Sequence, residues 1–233
     1  MKVSLYGWLM LAGIIVSIFF WARLARRDGR LVWIYIAALV GAFVGAKIVY
    51  FLTEGWLDLG RPDAWQRLAT GKTILGGLLG GYAGVEIAKR ILGYAGATGD
   101  WFALIAPVGI ALGRVGCWSH GCCQGIPCSS AWYTVKDSAG LDRWPSVPLE
   151  LAFNLCAIAV FLGLRRARLL PGQHFHLYLI AYGAFRFAHE FVRAEPHIAG
   201  PFSGYQIAAL VVLALGISGF VSRQRSARPA AAT

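Results

Sequence analysis

The chain alternates long apolar runs with short polar connections. Seven runs come close to the roughly 20 apolar residues that a helix needs to cross a bilayer: residues 4–22, 31–53, 73–92, 101–118, 147–164, 174–192 and 203–222. The third is preceded by Lys72 and carries Glu86 and many glycines, and the sixth is interrupted by Arg186, His189 and Glu190. The connections are too short for a second domain. The expected architecture is all-α: one polytopic seven-helix transmembrane domain over residues 1–225, followed by a disordered tail, 226–233. The first run is longer than the apolar region of a secretion signal, lacks an Ala-x-Ala site and is followed by arginines, so it reads as a retained helix.

The connections alternate in charge. With the N-terminus outside, the inner ones are "RLARRDGR", "AKRILGYAG", "RRARLL" and the tail "SRQRSAR", which hold twelve basic residues. The outer side has seven, spread over longer loops with most of the acids. The positive-inside rule then predicts an N-out, C-in topology. Trp8, Trp56, Trp101, Trp118 and Trp132 fall near predicted helix ends, as interfacial tryptophans do.

Composition agrees. The 233 residues are 58% hydrophobic and 14% charged, with a mean hydropathy of +0.59; a soluble domain is nearer half apolar and a quarter charged. The net charge of +11 belongs to the short connections and fits anionic lipid headgroups. No basic arm or nucleic-acid motif accompanies it, so nucleic acid is not expected as a partner.

Two stretches concentrate small residues: Gly41 and Gly45, and "LGGLLGGYAG" with the pairs Gly76/Gly80 and Gly77/Gly81. Such spacing lets helix backbones approach closely in lipid; Gly76 and Gly77 could also leave room for a headgroup. Ionisable residues inside apolar runs carry the strongest functional signal, because charges at membrane depth are costly and usually face a cavity. They are Lys47, Glu86, Arg114, Arg186 and Glu190, with Glu150 at a boundary. Arg186 and Glu190 share a helix face that Arg193 continues, with His189 one position off it. Arg114 ends another run on the same side. Two arginines converging there fit a phosphate, which a guanidinium binds through a planar fork. An internal Arg186–Glu190 ion pair, and snorkelling of Arg193 and Lys47, are the plainer readings.

The stretch "GCWSHGCCQGIPC" (116–128) holds Cys117, His120, Cys122, Cys123 and Cys128. Zinc sites favour paired ligands with a second pair further on; none exists, and adjacent cysteines rarely ligate one ion together. No metal and no cofactor are therefore expected. Two disulfides, or a thiol activated by Arg114 and His120, remain open.

Several stretches together resemble the bacterial prolipoprotein diacylglyceryl transferases. "YGAFRFAHEFVRAEP" (182–196) with "SGYQI" (203–207) is similar to that family's penultimate-helix signature. "LYGWLMLAG" (5–13), "GAFVGAKIVYFL" (41–52), "TILGGLLGG" (73–81), "GRVGCWSHG" (113–121) and "RWPSVPLEL" (143–151) follow in the family's order. The resemblance implies transfer of diacylglyceryl from phosphatidylglycerol to the cysteine thiol of a lipobox-containing preprolipoprotein. It places the enzyme in the bacterial inner membrane with its site toward the outer leaflet. It would make Arg114 and Arg186 the headgroup-binding and catalytic arginines, with Glu190 orienting Arg186, Tyr6 lining the site and Gly121 in the signature loop. Beside these, Lys47, Gly76, Gly77 and Arg193 are our own candidates for substrate binding.

The sequence departs from that pattern. Leu75 replaces a histidine before Gly-Gly, and Cys117, His120 and Cys122 replace two asparagines and a glutamate. Trp144 replaces a histidine, Lys47 an arginine, and a large outer insertion is missing. The anion-binding half is kept and the thiol-activating half is rewritten, which leaves His120 as the expected base. Alternatives are the same scaffold with a changed donor or acceptor that uses a loop cysteine, or a membrane thiol or metal-binding protein without enzymatic activity.

Overall fold

The structure is a computed structural model that describes residues 5–26 and 28–227. It is built of helices: α1 (Leu5–Ala25), α2 (Arg30–Thr53), α3 (Ala64–Thr70), α4 (Ile74–Ile91), α5 (Gly99–His120), α6 (Ser146–Arg166), α7 (His174–His189) and α8 (Gly204–Ala227). The seven apolar runs coincide with all of these except α3, a short helix that the hydropathy pattern did not predict. Two small antiparallel hairpins, β1 (Val135–Lys136) with β2 (Asp142–Arg143) and β3 (His197–Ala199) with β4 (Phe202–Ser203), lie in connections at one end of the bundle. Among the described residues, four helices are long and apolar enough to cross a membrane: Arg30–Thr53, Gly99–His120, Ser146–Arg166 and Gly204–Arg225. Helix α7 has 16 residues, because the chain tightens into a 3-10 turn at Glu190–Val192.

Large apolar side chains cover the outside. Phe19, Trp33, Phe43 and Ile91 are all more than 60% exposed. Such a surface suits lipid, which solvates apolar groups as well as a protein core does. Inside, one apolar cluster gathers Leu75, Leu78, Phe161, Tyr178, Leu179, Tyr182 and Val212, and a second gathers Trp21, Ile34, Tyr35 and Val85.

Glycine sets the closest helix contact. Gly41 and Gly45 of α2 face Gly76, Gly80 and Gly84 of α4 so tightly that a Cβ at Gly41 would run into the carbonyl of Gly80. A Cβ at Gly76 would likewise run into that of Gly45. Gly76, expected beside a headgroup, is therefore spent on helix packing. Gly77 has looser surroundings, with only the Ala42 carbonyl within 4 Å of an added Cβ. Gly183 of α7 packs in the same way on Ala209 and Leu213 of α8.

One end of the bundle is tied by backbone groups. Asp100 accepts from the Gly172 and His174 amides at 2.7 and 3.3 Å, and Arg223 donates to the Gly172 carbonyl at 2.9 Å. At the opposite end meet the last turns of α5 and α7 and the first turns of α6 and α8, and here the buried charges collect.

Gly80→Ala should separate α2 from α4 and cost about 1–3 kcal/mol. Gly109→Ala, where an added Cβ meets nothing within 4 Å, should be neutral or slightly stabilising. Thermal unfolding of the two variants in detergent tests the contrast; equal melting temperatures would refute the packing role of Gly80.

Candidate active site

Helix α6 begins at Ser146, and its second turn carries Glu150 inward, where it has no solvent exposure. A buried carboxylate demands charge and donors. Arg114, from the last turns of α5, supplies both through Nη2, 2.8 Å from each Glu150 oxygen. The Tyr182 hydroxyl donates to Oε1 at 2.7 Å, and Arg193 Nη1 stands 4.0 Å from Oε2. One turn along, Asn154 donates to the Glu150 carbonyl at 2.8 Å and accepts from Tyr178 at 2.8 Å.

Helix α7 brings a second pair. Arg186 Nη1 lies 2.5 Å from Glu190 Oε2, one turn apart. Ser203 donates to the other Glu190 oxygen at 3.2 Å, and the Arg186 guanidinium sits 5.9 Å from the Tyr205 ring centroid. Arg193 donates to Glu195 at 2.6 Å. Arg114, Arg186 and Arg193 are each 5% exposed, and Glu190 is 2%. Three guanidiniums from two helices and the following turn thus face three carboxylates, of which Glu150 and Glu190 are buried. Several polar atoms stay open: the donors Arg114 Nε and Arg193 Nη1, and both His189 ring nitrogens, have no hydrogen-bond partner among the described residues. The His189 ring stacks on Phe185 with centroids 4.9 Å apart.

The cysteine loop lies over this cluster. Gly121, at φ 68°, ends α5 in a left-handed turn. The Cys122 amide donates to the Cys117 carbonyl and the Gly121 amide to that of Trp118, both at 3.2 Å, the bond pattern of a glycine helix stop. The turn folds the chain back, so that the Cys117, Cys122 and Cys123 sulfurs lie within 4.8 Å of one another. Arg114 Nη1 is 4.0 Å from Cys117 Sγ. Hydrogen bonding with Cys117 and Cys122, with the Arg114 and Arg193 guanidiniums nearby, holds the Cys123 thiol below its ordinary range. The loop is then pinned to the end of α7: the Ile126 amide donates to Val192, and the Trp144 amide to Ile126, both at 3.0 Å. Arg143 ties it to Asp137 at 2.6 Å.

Other expected site residues lie elsewhere. Lys47 donates to the Leu68 and Ala69 carbonyls at 2.9 and 2.5 Å. It caps α3, where the helix dipole favours a cation, and does not join the arginines. His120 is exposed on the last residue of α5, and no hydrogen bond or ion pair links it to the cluster among the described residues. Cys128 is held in the loop by its amide, which donates to Asp142 at 3.0 Å, outside the group of three sulfurs. The Tyr6 side chain lies outside the described residues. Tyr182, Tyr178, Asn154 and Ser203 were not foreseen, although Tyr178 and Tyr182 extend the Arg186–Glu190 stripe backwards by four residues at a time.

Glu54, half-buried at the end of α2, borders this region. Burial, reinforced by the neighbouring Glu195 carboxylate and opposed by a Tyr205 hydrogen bond, pushes its carboxyl from an ordinary 4.5 up to about 7. Its protonated form is thus the one the fold favours. That contribution is complete below pH 4.5 and is lost as pH rises through about 7. Glu54→Gln should therefore melt higher than the parent at pH 8, and the gain should vanish at pH 4. A gain of equal size at both pH values would contradict this.

The family described as prolipoprotein diacylglyceryl transferase matches residues 1–222. A phosphatidylglycerol–prolipoprotein diacylglyceryl transferase from Dehalococcoides mccartyi (strain ATCC BAA-2266 / KCTC 15142 / 195) is 29% identical, covering 98% of this chain and 92% of its own. The protein of that name from Methylocella silvestris is 30% identical over 91% of this chain and 82% of its own. That from Geobacter sulfurreducens is 30% identical over 91% and 88%.

Proposed function

The chain belongs to the prolipoprotein diacylglyceryl transferase family, and we propose that its buried arginine cluster carries out the reaction its relatives are named for. The enzyme moves diacylglyceryl from phosphatidylglycerol to the lipobox cysteine of a preprolipoprotein. The observation that carries this reading is the meeting of Arg114 and Arg186, from separate helices, around Glu150 and Glu190 with hydrogen-bonding positions still open.

The acceptor sulfur attacks the glyceryl carbon that bears the phosphate. A C–S bond forms, the C–O bond breaks, and glycerol phosphate leaves with the electron pair. Charge grows on the departing phosphate oxygen, where Arg114 and Arg186 stabilise it. Glu150 and Glu190 fix the two guanidiniums, so little reorganisation is needed at the moment of transfer. Arg193 and the loop above it border the place the acceptor must enter. His120, exposed at the end of α5, takes the thiol proton at the rim.

Seven spans with the N-terminus outside place this end of the bundle toward the outer leaflet of the bacterial inner membrane. The twelve basic residues of the opposite connections support that orientation. A green fluorescent protein fused at the C-terminus should fluoresce, and alkaline phosphatase inserted near Gly140 should be active; the reverse pattern would overturn the orientation.

Arg186→Ala should lower transfer from phosphatidylglycerol to a lipobox peptide by about 100-fold or more. Arg114→Lys, which keeps the charge but loses the fork, should also be strongly impaired. The wild-type gene should rescue a strain depleted of its own transferase. Undiminished transfer by Arg186→Ala would remove the proposal.

A further inference from the structure

We propose that Cys117, Cys122 and Cys123 form a zinc site whose fourth position takes the acceptor thiol. The inference rests on the transferase reading above and adds to His120 a group that holds the acceptor sulfur as thiolate.

Three of the five cysteines converge, and Cys128 and Cys156 do not. A zinc ion with Zn–S bonds of about 2.3 Å holds its thiolates about 3.8 Å apart. Cys117 and Cys123 sulfurs stand 4.0 Å apart, and all three lie within 4.8 Å. Little movement would close the triangle on an ion. Adjacent cysteines seldom share an ion because an extended backbone points their side chains apart. Here Cys123 has φ 60°, a left-handed conformation that side-chain-bearing residues rarely adopt. The turn that begins at Gly121 and runs through Cys123 brings both sulfurs back to Cys117. Disulfides would leave one of three clustered thiols unpaired, whereas a thiophilic cation satisfies all three.

The surroundings suit a catalytic ion. Structural zinc sites are closed by four protein ligands; catalytic ones use three and keep a position open. Three thiolates around Zn²⁺ carry one net negative charge, and the Arg114 guanidinium stands 4.0 Å from Cys117 Sγ to offset it. Arg114 also belongs to the phosphate-binding cluster through Glu150. One side chain therefore links the sulfur triangle to the lipid phosphate, which places the two reactants side by side.

The chemistry follows. A thiol is a weak nucleophile toward a saturated carbon; the thiolate reacts. Coordination to zinc deprotonates a thiol near neutral pH, and the proton leaves to solvent by way of His120 at the exposed end of α5. The bound sulfur then forms the C–S bond as the C–O bond breaks and glycerol phosphate departs. No electron acceptor or donor is required.

The test uses the full chain purified in detergent with reductant, followed by metal analysis. About one zinc per chain is expected. Cys117→Ser, Cys122→Ser and Cys123→Ser should each lose it, and Cys128→Ser and Cys156→Ser should retain it. Cobalt-substituted protein should show thiolate-to-cobalt charge transfer in the near ultraviolet. Its visible bands should change with a lipobox peptide but not with the Cys→Ser peptide. Reduced protein that takes up neither zinc nor cobalt would overturn the site, as would a Cys117–Cys123 disulfide in protein purified without reductant and free of metal. Chelator-stripped enzyme that transfers at the wild-type rate would overturn the inference while leaving the transferase reading intact. Cobalt-substituted protein whose bands respond to the peptide, together with zinc-loaded enzyme that transfers nothing from phosphatidylglycerol, would support the metal site and overturn the transferase reading.

Discussion

A carboxylate with no access to water must be surrounded by compensating charge, and Glu150 is such a group. It draws Arg114 from α5, Tyr182 from α7 and Arg193 from the turn beyond α7 to a single point. Taking Arg114 away would leave the buried Glu150 charge without its close ion-pair partner, at a cost of about 3–5 kcal/mol. The same constraint makes the site. Guanidiniums held by buried carboxylates cannot swing away to solvent, and their remaining N–H groups are fixed in direction before any lipid arrives. The ion pairs are thus less a source of stability than a means of fixing geometry.

The rest of the bundle positions this point. Glycine contacts bring α2 against α4 and α7 against α8 at nearly backbone distance, which keeps α7 and its Tyr178–Tyr182–Arg186–Glu190 stripe in register. Helix α6 delivers Glu150 and Asn154 one turn apart. The cysteine loop, fastened through Ile126 and Trp144 to the end of α7, then roofs the cluster and sets three sulfurs beside Arg114. Charge, packing and loop chemistry meet where α5, α6, α7 and α8 share an end.

Much of this was legible in the chain. The apolar runs located the long helices to within a few residues. Arginines and glutamates inside those runs pointed to the buried charge cluster that the helices bring together, because membrane-depth charge is rarely tolerated without partners. Other features were hidden for local reasons. Lys47 looked like a site residue because its real partner, the C-terminal end of α3, is a short helix with no hydropathy signature. Gly76 sits in a doubled small-residue pattern whose two faces cannot be told apart until the partner helix is known. The positive φ of Cys123, which turns two adjacent cysteines toward Cys117, has no signature in the sequence. Tyr182 is apolar by most scales, yet its hydroxyl completes the Glu150 shell.

In the proposed mechanism Glu150 touches neither lipid nor peptide and acts by setting the arginines for transfer. Glu150→Gln keeps the shape and a hydrogen-bonding oxygen for Tyr182 but removes the charge that holds Arg114 and Arg193. Steady-state kinetics with phosphatidylglycerol and a lipobox peptide should show kcat falling by about 100-fold with a smaller change in KM, in a protein that retains its helical content. Transfer within about threefold of the wild type would contradict the account.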